Sequence, residues 1–172
     1  MRVRPAEERD LPQIAEILNR EIREGVAHFG TREQSVEECR ADWERSGSRL
    51  PWYVAADEAT GEVMGFARAS PWKARGAYAW TAEVGVYVRP ELHGKGVGKA
   101  LYAEFVPALR RTDLRTILAG ISLPNEPSIR LHEAFGFRHV GTLPRVGFKL
   151  GAWHDVGYWA LCLEGPDPPP PL

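Results

Sequence analysis

The sequence has few cysteines, almost no net charge and no long apolar run, and each shortage excludes a class of protein. Its two cysteines, Cys39 and Cys162, show no C-x-x-C spacing, which excludes a disulfide scaffold and favours a reducing cytoplasm. The net charge of -1 argues against binding to nucleic acid or a membrane surface through bulk charge. No apolar run reaches the length of a membrane span, and residues 1–10 are too charged for a signal peptide.

What the chain does contain is typical of one globular domain. Of its 172 residues, 44% are hydrophobic and 26% are charged, so disorder is not expected. No internal repeat or linker interrupts residues 1–164, which we expect to form the folded domain. Residues 165–172 are rich in proline, and we expect an extended tail there.

Hydrophobic spacing and breaker residues predict the element order βααβββαβαββ, a mixed α/β domain. The first helix is expected to have Asp10 as its N-cap and Pro12 in its first turn. Ser35 with Glu38 has the form of a capping box and opens the second helix. Gly136 is expected to end the last helix, and two further strands complete the sheet.

The strongest local signal is a glycine-rich turn, Gly94-Lys-Gly-Val-Gly-Lys99, which joins a predicted strand over residues 79–88 to a predicted helix. Glycines let backbone N–H groups approach a phosphate closely, and the helix dipole favours negative charge. The spacing matches neither a Walker loop nor the G-x-G-x-x-G dinucleotide motif. The turn alone therefore supports two interpretations, a tight strand-to-helix connection or a phosphate site.

Longer segments on both sides of this turn are more distinctive. They are Pro71-Trp-Lys-Ala-Arg75, Trp80-Thr-Ala-Glu83, Leu123-Pro-Asn-Glu-Pro-Ser-Ile-Arg-Leu-His-Glu-Ala-Phe-Gly-Phe137 and Trp153-His-Asp-Val-Gly157. Together with the turn, they resemble the phosphinothricin N-acetyltransferase family of the GNAT superfamily over nearly the whole chain. The resemblance implies a single-domain α/β GNAT fold with a mixed, mostly antiparallel central sheet flanked by helices. Two central parallel strands, residues 79–88 and 115–121, are expected to splay apart.

The resemblance also implies where the co-substrate acetyl-CoA binds. The glycine turn is expected to hold its pyrophosphate, and the strand before the turn to direct backbone amides at the acetyl carbonyl. An asparagine that begins a helix is implied in binding the pantetheine arm, although plain N-capping is the alternative. The implied residues are Val86, Tyr87, Val88, Gly94, Lys95, Gly96, Val97, Gly98, Lys99 and Asn125. Two residues depart from the family pattern: His93 stands in place of Gln or Arg, and Gly85 in place of Ser or Thr.

Glu83 and His132 are the catalytic residues that the resemblance implies. An ammonium group must lose a proton before it attacks a thioester, and a carboxylate whose pKa is raised by burial suits that step. The alternation along the strand by itself favours Glu83 on a solvated face, and it is the motif position of the family's catalytic glutamate that favours the base. His132 occupies the place from which many superfamily members protonate the leaving thiolate, and it is interpreted either as an acid or substrate ligand or as a structural histidine.

Substrate binding is assigned by the resemblance to Lys73, Arg75 and Tyr78, with Phe29 as a wall of the pocket. Two cations one residue apart suit a carboxylate or phosphinate, whereas the alternative is a solvated loop. The implied acceptor is the amino group of a small amino acid analogue such as phosphinothricin, methionine sulfoximine or methionine sulfone. The five histidines show no metal-ligand spacing, so no metal is expected.

Two other functions stay open at this point. An acetyltransferase for a peptide N-terminus or a polyamine would keep the co-substrate, but a polyamine site needs carboxylates where Lys73 and Arg75 stand. A non-catalytic acyl-CoA sensor would keep the glycine turn and need no base, and Glu83 in its motif favours the enzyme. The resemblance further implies a homodimer in which loops near Trp153 reach across the interface.

Overall fold

The computed structural model describes residues 1–165 and 167. Over these residues the chain forms seven strands and four α-helices in the predicted order βααβββαβαββ. The strands are β1 (Arg2–Pro5), β2 (Trp52–Ala56), β3 (Val63–Pro71), β4 (Thr81–Val88), β5 (Thr116–Ser122), β6 (Arg138–Lys149) and β7 (Ala152–Cys162). The helices are α1 (Leu11–Glu24), α2 (Val36–Ser46), α3 (Val97–Arg110) and α4 (Glu126–Ala134). The predicted proline-rich tail, apart from residues 165 and 167, lies outside the described residues.

The starts of α1 and α2 lie where the sequence predicts them. Asp10 is the N-cap residue of α1, but its side chain forms no cap hydrogen bond, because a 3₁₀ turn precedes that helix and already gives Asp10 helical backbone angles. Its carboxylate instead accepts hydrogen bonds from the Arg4 guanidinium at 2.6 and 2.9 Å and from the Glu7 N–H at 2.8 Å. The capping box of α2 is confirmed: the Glu38 N–H donates to Ser35 Oγ at 3.1 Å, and the Ser35 N–H donates to the Glu38 carboxylate at 2.8 Å.

The seven strands form one sheet in the order β1-β2-β3-β4-β5-β7-β6. All neighbouring pairs are antiparallel except β4 and β5, which are parallel. The parallel pairing joins only residues 81–83 of β4 to residues 116–118 of β5. Beyond Glu83 the two strands continue to Val88 and Ser122 without pairing with each other. The predicted splay of the central strands is confirmed, and it begins at the residue predicted to be the base.

Side chains alternate between the two faces of this sheet, and each face has its own core. On one face Ala67, Ala69 and Ala82 are fully buried against α3, where their small side chains let the helix lie close to the strands. On the opposite face α1 and α2 pack against Val54 and Phe66. The second face extends past α1 as far as β5 and β7, and this uncovered part carries Glu83.

Three further observations concern membrane spans, metal sites and thiols. No helix in the described part of the chain is long and apolar enough to cross a bilayer. Among residues 1–165 and 167, no group of three or more His, Cys, Asp or Glu side chains is arranged to hold a metal ion. Cys39 is buried and Cys162 is exposed, and both thiols are free.

Candidate active site

Glu83 lies in the middle of the uncovered sheet face. On β4 it is opposite Ser70 of β3 and Leu118 of β5, so it occupies the last paired position before the strands separate. Gly120, two residues further along β5, leaves room for its carboxylate: a Cβ added there would lie 2.9 Å from Glu83 Oε1. A carboxylate therefore faces the gap between the two splayed strands, where only a glycine stands beside it.

A cavity of about 440 Å³ opens over this face. Because residues on neighbouring strands share a face in register, the cavity receives side chains from β3, β4, β5 and β7 together with the loop after α1 and helix α4. The side chains that matter below are those of His28, Phe29, Arg68, Ser70, Glu83, Ser122, His132 and Tyr158. Both predicted catalytic residues, Glu83 and His132, thus line one cavity.

The environment of Glu83 suits a base. Burial raises the pKa of its carboxyl above the ordinary value, and the positive charge of Arg68 partly opposes that rise. In the part of the chain that the structure describes, no hydrogen bond or ion pair occupies the Glu83 carboxylate. A carboxylate with a raised pKa and free oxygens can accept a proton from a group that enters the cavity. The solvated face that the sequence left open as an alternative is therefore not where Glu83 lies.

A second cavity of about 730 Å³ follows β4 towards the glycine-rich turn. Gly94 and Gly96 have φ of +74° and +83°, a left-handed conformation that other residues adopt only with strain. Gly96 is the N-cap of α3 and makes no side-chain cap, so N–H groups of the first turn have no partner within the helix. These N–H groups, Val97, Gly98 and Lys99 border the cavity, whereas the exposed Lys95 is not among its lining residues.

His93 and Gly85, the two departures from the family pattern, each have a structural explanation. His93 lines the second cavity, and its Nε2 donates to the carbonyl of Val88 at 2.9 Å, so the side chain holds the end of β4. At Gly85 a Cβ would lie 2.9 Å from Cε2 and 3.1 Å from the hydroxyl of Tyr87. Gly85 therefore lets the Tyr87 ring lie back over the strand, where it packs on Phe66 at 5.2 Å between ring centroids.

The two cavities meet around Val86, Tyr87 and Asn125, which line both. This junction lies where β4 has left β5, so the edge of β4 that faces β5 has no strand partner there. Asn125 Oδ1 accepts a hydrogen bond from the Ser128 N–H at 3.2 Å, which is an N-cap of α4. The cap uses the oxygen of the amide and leaves its NH₂ group directed elsewhere.

His132 is held between two partners. Its Nδ1 donates to the carbonyl of Ser128 at 2.8 Å, so its Nε2 accepts from the hydroxyl of Tyr102 at 2.8 Å in the neutral ring. The ring is 3% exposed, and burial lowers its pKa. Both nitrogens of this buried, neutral imidazole are hydrogen-bonded, so its neighbours fix the orientation of the ring. To act as an acid, His132 would have to break one of these two hydrogen bonds and form one to the substrate.

The residues predicted to bind substrate lie in two places. Phe29 borders the cavity of Glu83 and covers Gly147 of β6, where a Cβ would lie 2.2 Å from the Phe29 ring. Lys73, Arg75 and Tyr78 belong to the connection between β3 and β4, outside the set of residues that line this cavity. The Lys73 ammonium lies 4.8 Å from the centroid of the Trp72 ring, and Tyr78 meets the same ring edge-on at 5.0 Å.

Arg68, Ser122 and Tyr158 line the cavity but were not identified from the sequence. The Ser122 hydroxyl is buried, and no described residue forms a hydrogen bond with it. Each of the three lies in a strand, and the alternation of side chains along a strand does not by itself show which face of the sheet a residue occupies. Only the register between the strands shows that this face is the one that bears Glu83.

Comparison with known proteins shows the family to which this chain belongs. Residues 11–137 match the model of the Acetyltransferase (GNAT) family. A phosphinothricin N-acetyltransferase of Streptomyces viridochromogenes is 42% identical over 99% of this chain and 92% of its own length. An L-methionine sulfoximine/L-methionine sulfone acetyltransferase of Salmonella typhimurium is 32% identical over 95% of both chains. The crystal structure of a phosphinothricin acetyltransferase from Sinorhizobium meliloti in complex with acetyl-CoA has a TM-score of 0.88 and 36% identity, over 94% of this chain and 88% of that one.

Proposed function

Since this chain belongs to the GNAT acetyltransferase family and is an acetyl-CoA-dependent N-acetyltransferase, we propose that its acceptor is the amino group of a small amino acid with a tetrahedral polar tail. Phosphinothricin, methionine sulfoximine and methionine sulfone are the acceptors that fit this description. The observation that carries the proposal is the unpaired, half-buried carboxylate of Glu83 at the point where β4 and β5 separate. The similarity to enzymes for these three compounds supports it.

The groove along β4 fits the co-substrate. The left-handed Gly94 and Gly96 and the uncapped start of α3 provide N–H groups for a pyrophosphate, and Lys99 adds positive charge. The N–H groups of Val86 to Val88 are proposed to bind the pantetheine arm and the acetyl carbonyl, and the Asn125 amide to donate to the same arm. Acetyl-CoA supplies the acetyl group as a thioester when it is bound.

The acid–base roles are proposed for Glu83 and His132. Glu83 removes a proton from the acceptor ammonium, directly or through one water, which leaves the nitrogen lone pair free to attack. His132 is proposed to act at the leaving sulfur or to position substrate, with Tyr102 fixing its ring. Tyr102 gives its hydrogen bond to Nε2, so protonation of the sulfur by this ring is coupled to Tyr102.

Lys73, Arg75, Tyr78 and Phe29 are proposed to recognise the acceptor. The connection that carries Lys73, Arg75 and Tyr78 leads directly into β4 two residues before Glu83, which places these residues next to the start of the strand that bears the base. A carboxylate and a phosphinate are both ligands that an arginine binds bidentately. Phe29 supports the proposal more directly, because it already borders the cavity.

We further propose that the enzyme is a homodimer that buries the hairpin of β6 and β7. β6 is an edge strand, and the hairpin exposes large apolar side chains: Val140, Leu143, Val146, Phe148, Leu150 and Trp153. Such a patch is typical of an interface rather than of a solvated surface. The interface would border the active site, because Phe29 packs on Gly147 of the same hairpin. The free thiols of Cys39 and Cys162 support the proposal of a cytoplasmic location.

The test is thiol release from acetyl-CoA with a panel of acceptors. Phosphinothricin, methionine sulfoximine and methionine sulfone are compared with ordinary amino acids, a peptide N-terminus and a polyamine. The proposal expects kcat/KM to be highest for the three amino acids with a tetrahedral tail. Turnover confined to the peptide or the polyamine would overturn the assignment of the acceptor and leave the acetyltransferase activity in place.

A further inference from the structure

Arg68 is a cation that lines the cavity of Glu83 and forms no ion pair with a carboxylate of the described residues. It lies on β3, is half-buried and lines the cavity. Its recorded contact is with the face of the Trp52 ring, 5.2 Å from guanidinium carbon to ring centroid. Among residues 1–165 and 167, no carboxylate forms an ion pair with it. In the described residues thirteen contacts join other arginines to carboxylates. Arg68 differs from these arginines because it lines a cavity without such a partner, which leaves its guanidinium able to bind an anionic ligand.

Neighbouring groups respond to this charge. Burial, followed by the charges of Arg68 and Lys149, lowers the pKa of His28 to about 4. The charge of Arg68 also opposes the burial-driven rise in the pKa of Glu83. An anion that enters the cavity meets one fixed cation and a neutral His28.

The register of the sheet fixes the face on which Arg68 lies. Arg68 pairs with Gly85 of β4 on one side and with Trp52 of β2 on the other. Gly85 has no side chain, so space remains between Arg68 and the row of β4 that bears Glu83. The guanidinium contacts the face of the Trp52 ring, and Trp52 pairs with Arg68 on the side away from β4. With strands spaced ~4.8 Å apart, the backbones of β2 and β4 on either side of Arg68 are roughly 10 Å apart.

We propose that Arg68 binds an anionic group at the tail of the acceptor, while the amino group at the other end meets Glu83. A group at the tail of the acceptor reaches further from the amino nitrogen than the α-carboxylate does. A γ-phosphinate is separated from that nitrogen by three carbon atoms, and with a hydrogen bond of ~3 Å at each end the acceptor spans the cavity. The inference rests on the proposed function and makes it narrower: among acceptors with a tetrahedral tail, the enzyme prefers those whose tail carries a negative charge.

The experiment compares phosphinothricin, whose phosphinate is an anion at neutral pH, with methionine sulfone, whose tail is uncharged. Both are assayed by kinetics and by calorimetric binding with the wild type, Arg68→Met and Arg68→Lys. Arg110→Met, at the exposed end of α3, is the control for loss of an arginine. A hydrogen-bonded ion pair predicts that Arg68→Met raises KM and Kd for phosphinothricin by about 10- to 100-fold. The same change is expected to alter KM for methionine sulfone and for acetyl-CoA by less than about threefold.

The outcomes separate this inference from the proposed function. Equal shifts for phosphinothricin and methionine sulfone would leave the proposed function intact and overturn the role of Arg68. Binding of phosphinothricin that depends on Arg68, without turnover of any acceptor in the panel, would support the Arg68 site and overturn the acceptor proposed above. Wild-type protein that binds phosphinothricin no better than methionine sulfone would overturn the role of Arg68, and wild-type protein that binds neither would overturn both. Thermal unfolding shows whether Arg68→Met is folded, and partial recovery in Arg68→Lys is expected because it keeps the charge but loses the bidentate geometry.

Discussion

Asn125 joins a structural role to a proposed binding role in one side chain. Its oxygen caps α4 and its nitrogen is free to serve the co-substrate groove. Asn125→Asp keeps the capping oxygen and removes the amide donor, so we expect an unchanged free energy of unfolding and a KM for acetyl-CoA raised about tenfold. Asn125→Ala is expected to lose both, with about 1 kcal/mol less stability. An unchanged KM in Asn125→Asp would reduce Asn125 to a helix cap.

The hydrogen bond between Tyr102 and His132 is a second feature at the scale of single residues, and both side chains are buried. Tyr102→Phe removes the hydroxyl and leaves Nε2 of His132 buried without a donor. We expect the free energy of unfolding, measured with denaturant, to fall by about 1–3 kcal/mol. Tyr53→Phe is the matched control, because the Tyr53 hydroxyl has no hydrogen bond in the described residues and its ring also packs on Phe105. Equal losses in both variants would contradict a stabilising role for this hydrogen bond.

The sequence predicted residues whose role depends on their own segment and missed those whose role depends on strand register. Ser35, Glu38 and Gly136 end or begin helices by local geometry, and the structure confirms all three. Arg68 and Ser122 become neighbours of Glu83 only when three strands are aligned. Asp10 stands at the predicted N-cap position, but its side chain bonds to Arg4 and Glu7 because a 3₁₀ turn that the sequence did not predict precedes the helix.

At the scale of elements, the β4–α3 connection depends on left-handed glycines rather than on side chains. Gly96→Ala meets no atom within 4 Å, so its cost is backbone strain at φ +83°, about 1–2 kcal/mol. We expect that strain to tilt the first-turn N–H groups and to raise KM for acetyl-CoA, with little effect on KM for the acceptor. Gly61→Ala, at φ +73° in the β2–β3 turn, carries a similar strain away from both cavities. A rise in KM in both variants would contradict a local role for the turn.

The splay of β4 and β5 is the other feature that acts through whole elements. The resemblance predicted which two strands separate, but not that the separation starts immediately after Glu83. That coincidence places the base beside a strand edge whose backbone groups are unpaired. Packing explains why the sheet tolerates it: the residues of β4 on the other face, Ala82 and Val84, stay buried against α3.

For the molecule as a whole, the exposed hairpin predicts how the protein assembles. Phe148 and Trp153 contact each other at 5.3 Å and are 58% and 54% exposed. We expect the wild type to sediment as a dimer and Phe148→Lys to shift it towards the monomer, because a desolvated charge in the interface is costly. Ala59→Lys, on the exposed β2–β3 turn, is expected to leave the dimer unchanged. A wild type that sediments as a monomer at micromolar concentration would contradict the proposed assembly.

The charge state of Glu83 links the fold to the chemistry. A base works only when it is ionised, and burial raises the pKa of this carboxyl above 4.5. The acid limb of activity therefore lies at higher pH than for an exposed glutamate. The same shift works against stability: a carboxyl whose pKa is raised in the folded state stabilises the fold when protonated, and this contribution is lost as pH rises through the folded pKa. At neutral pH, Glu83→Gln is expected to keep or raise the melting temperature.

The most direct test is the dependence of kcat/KM on pH for phosphinothricin, with the wild type and Glu83→Gln side by side. The account predicts a wild-type plateau between the pKa of Glu83 and that of the acceptor amine. It predicts that Glu83→Gln loses about 10²- to 10⁴-fold in kcat/KM at neutral pH and that its remaining activity rises steadily with pH up to the amine pKa. A folded Glu83→Gln protein that keeps both the rate and the acid limb of the wild type would contradict Glu83 as the base.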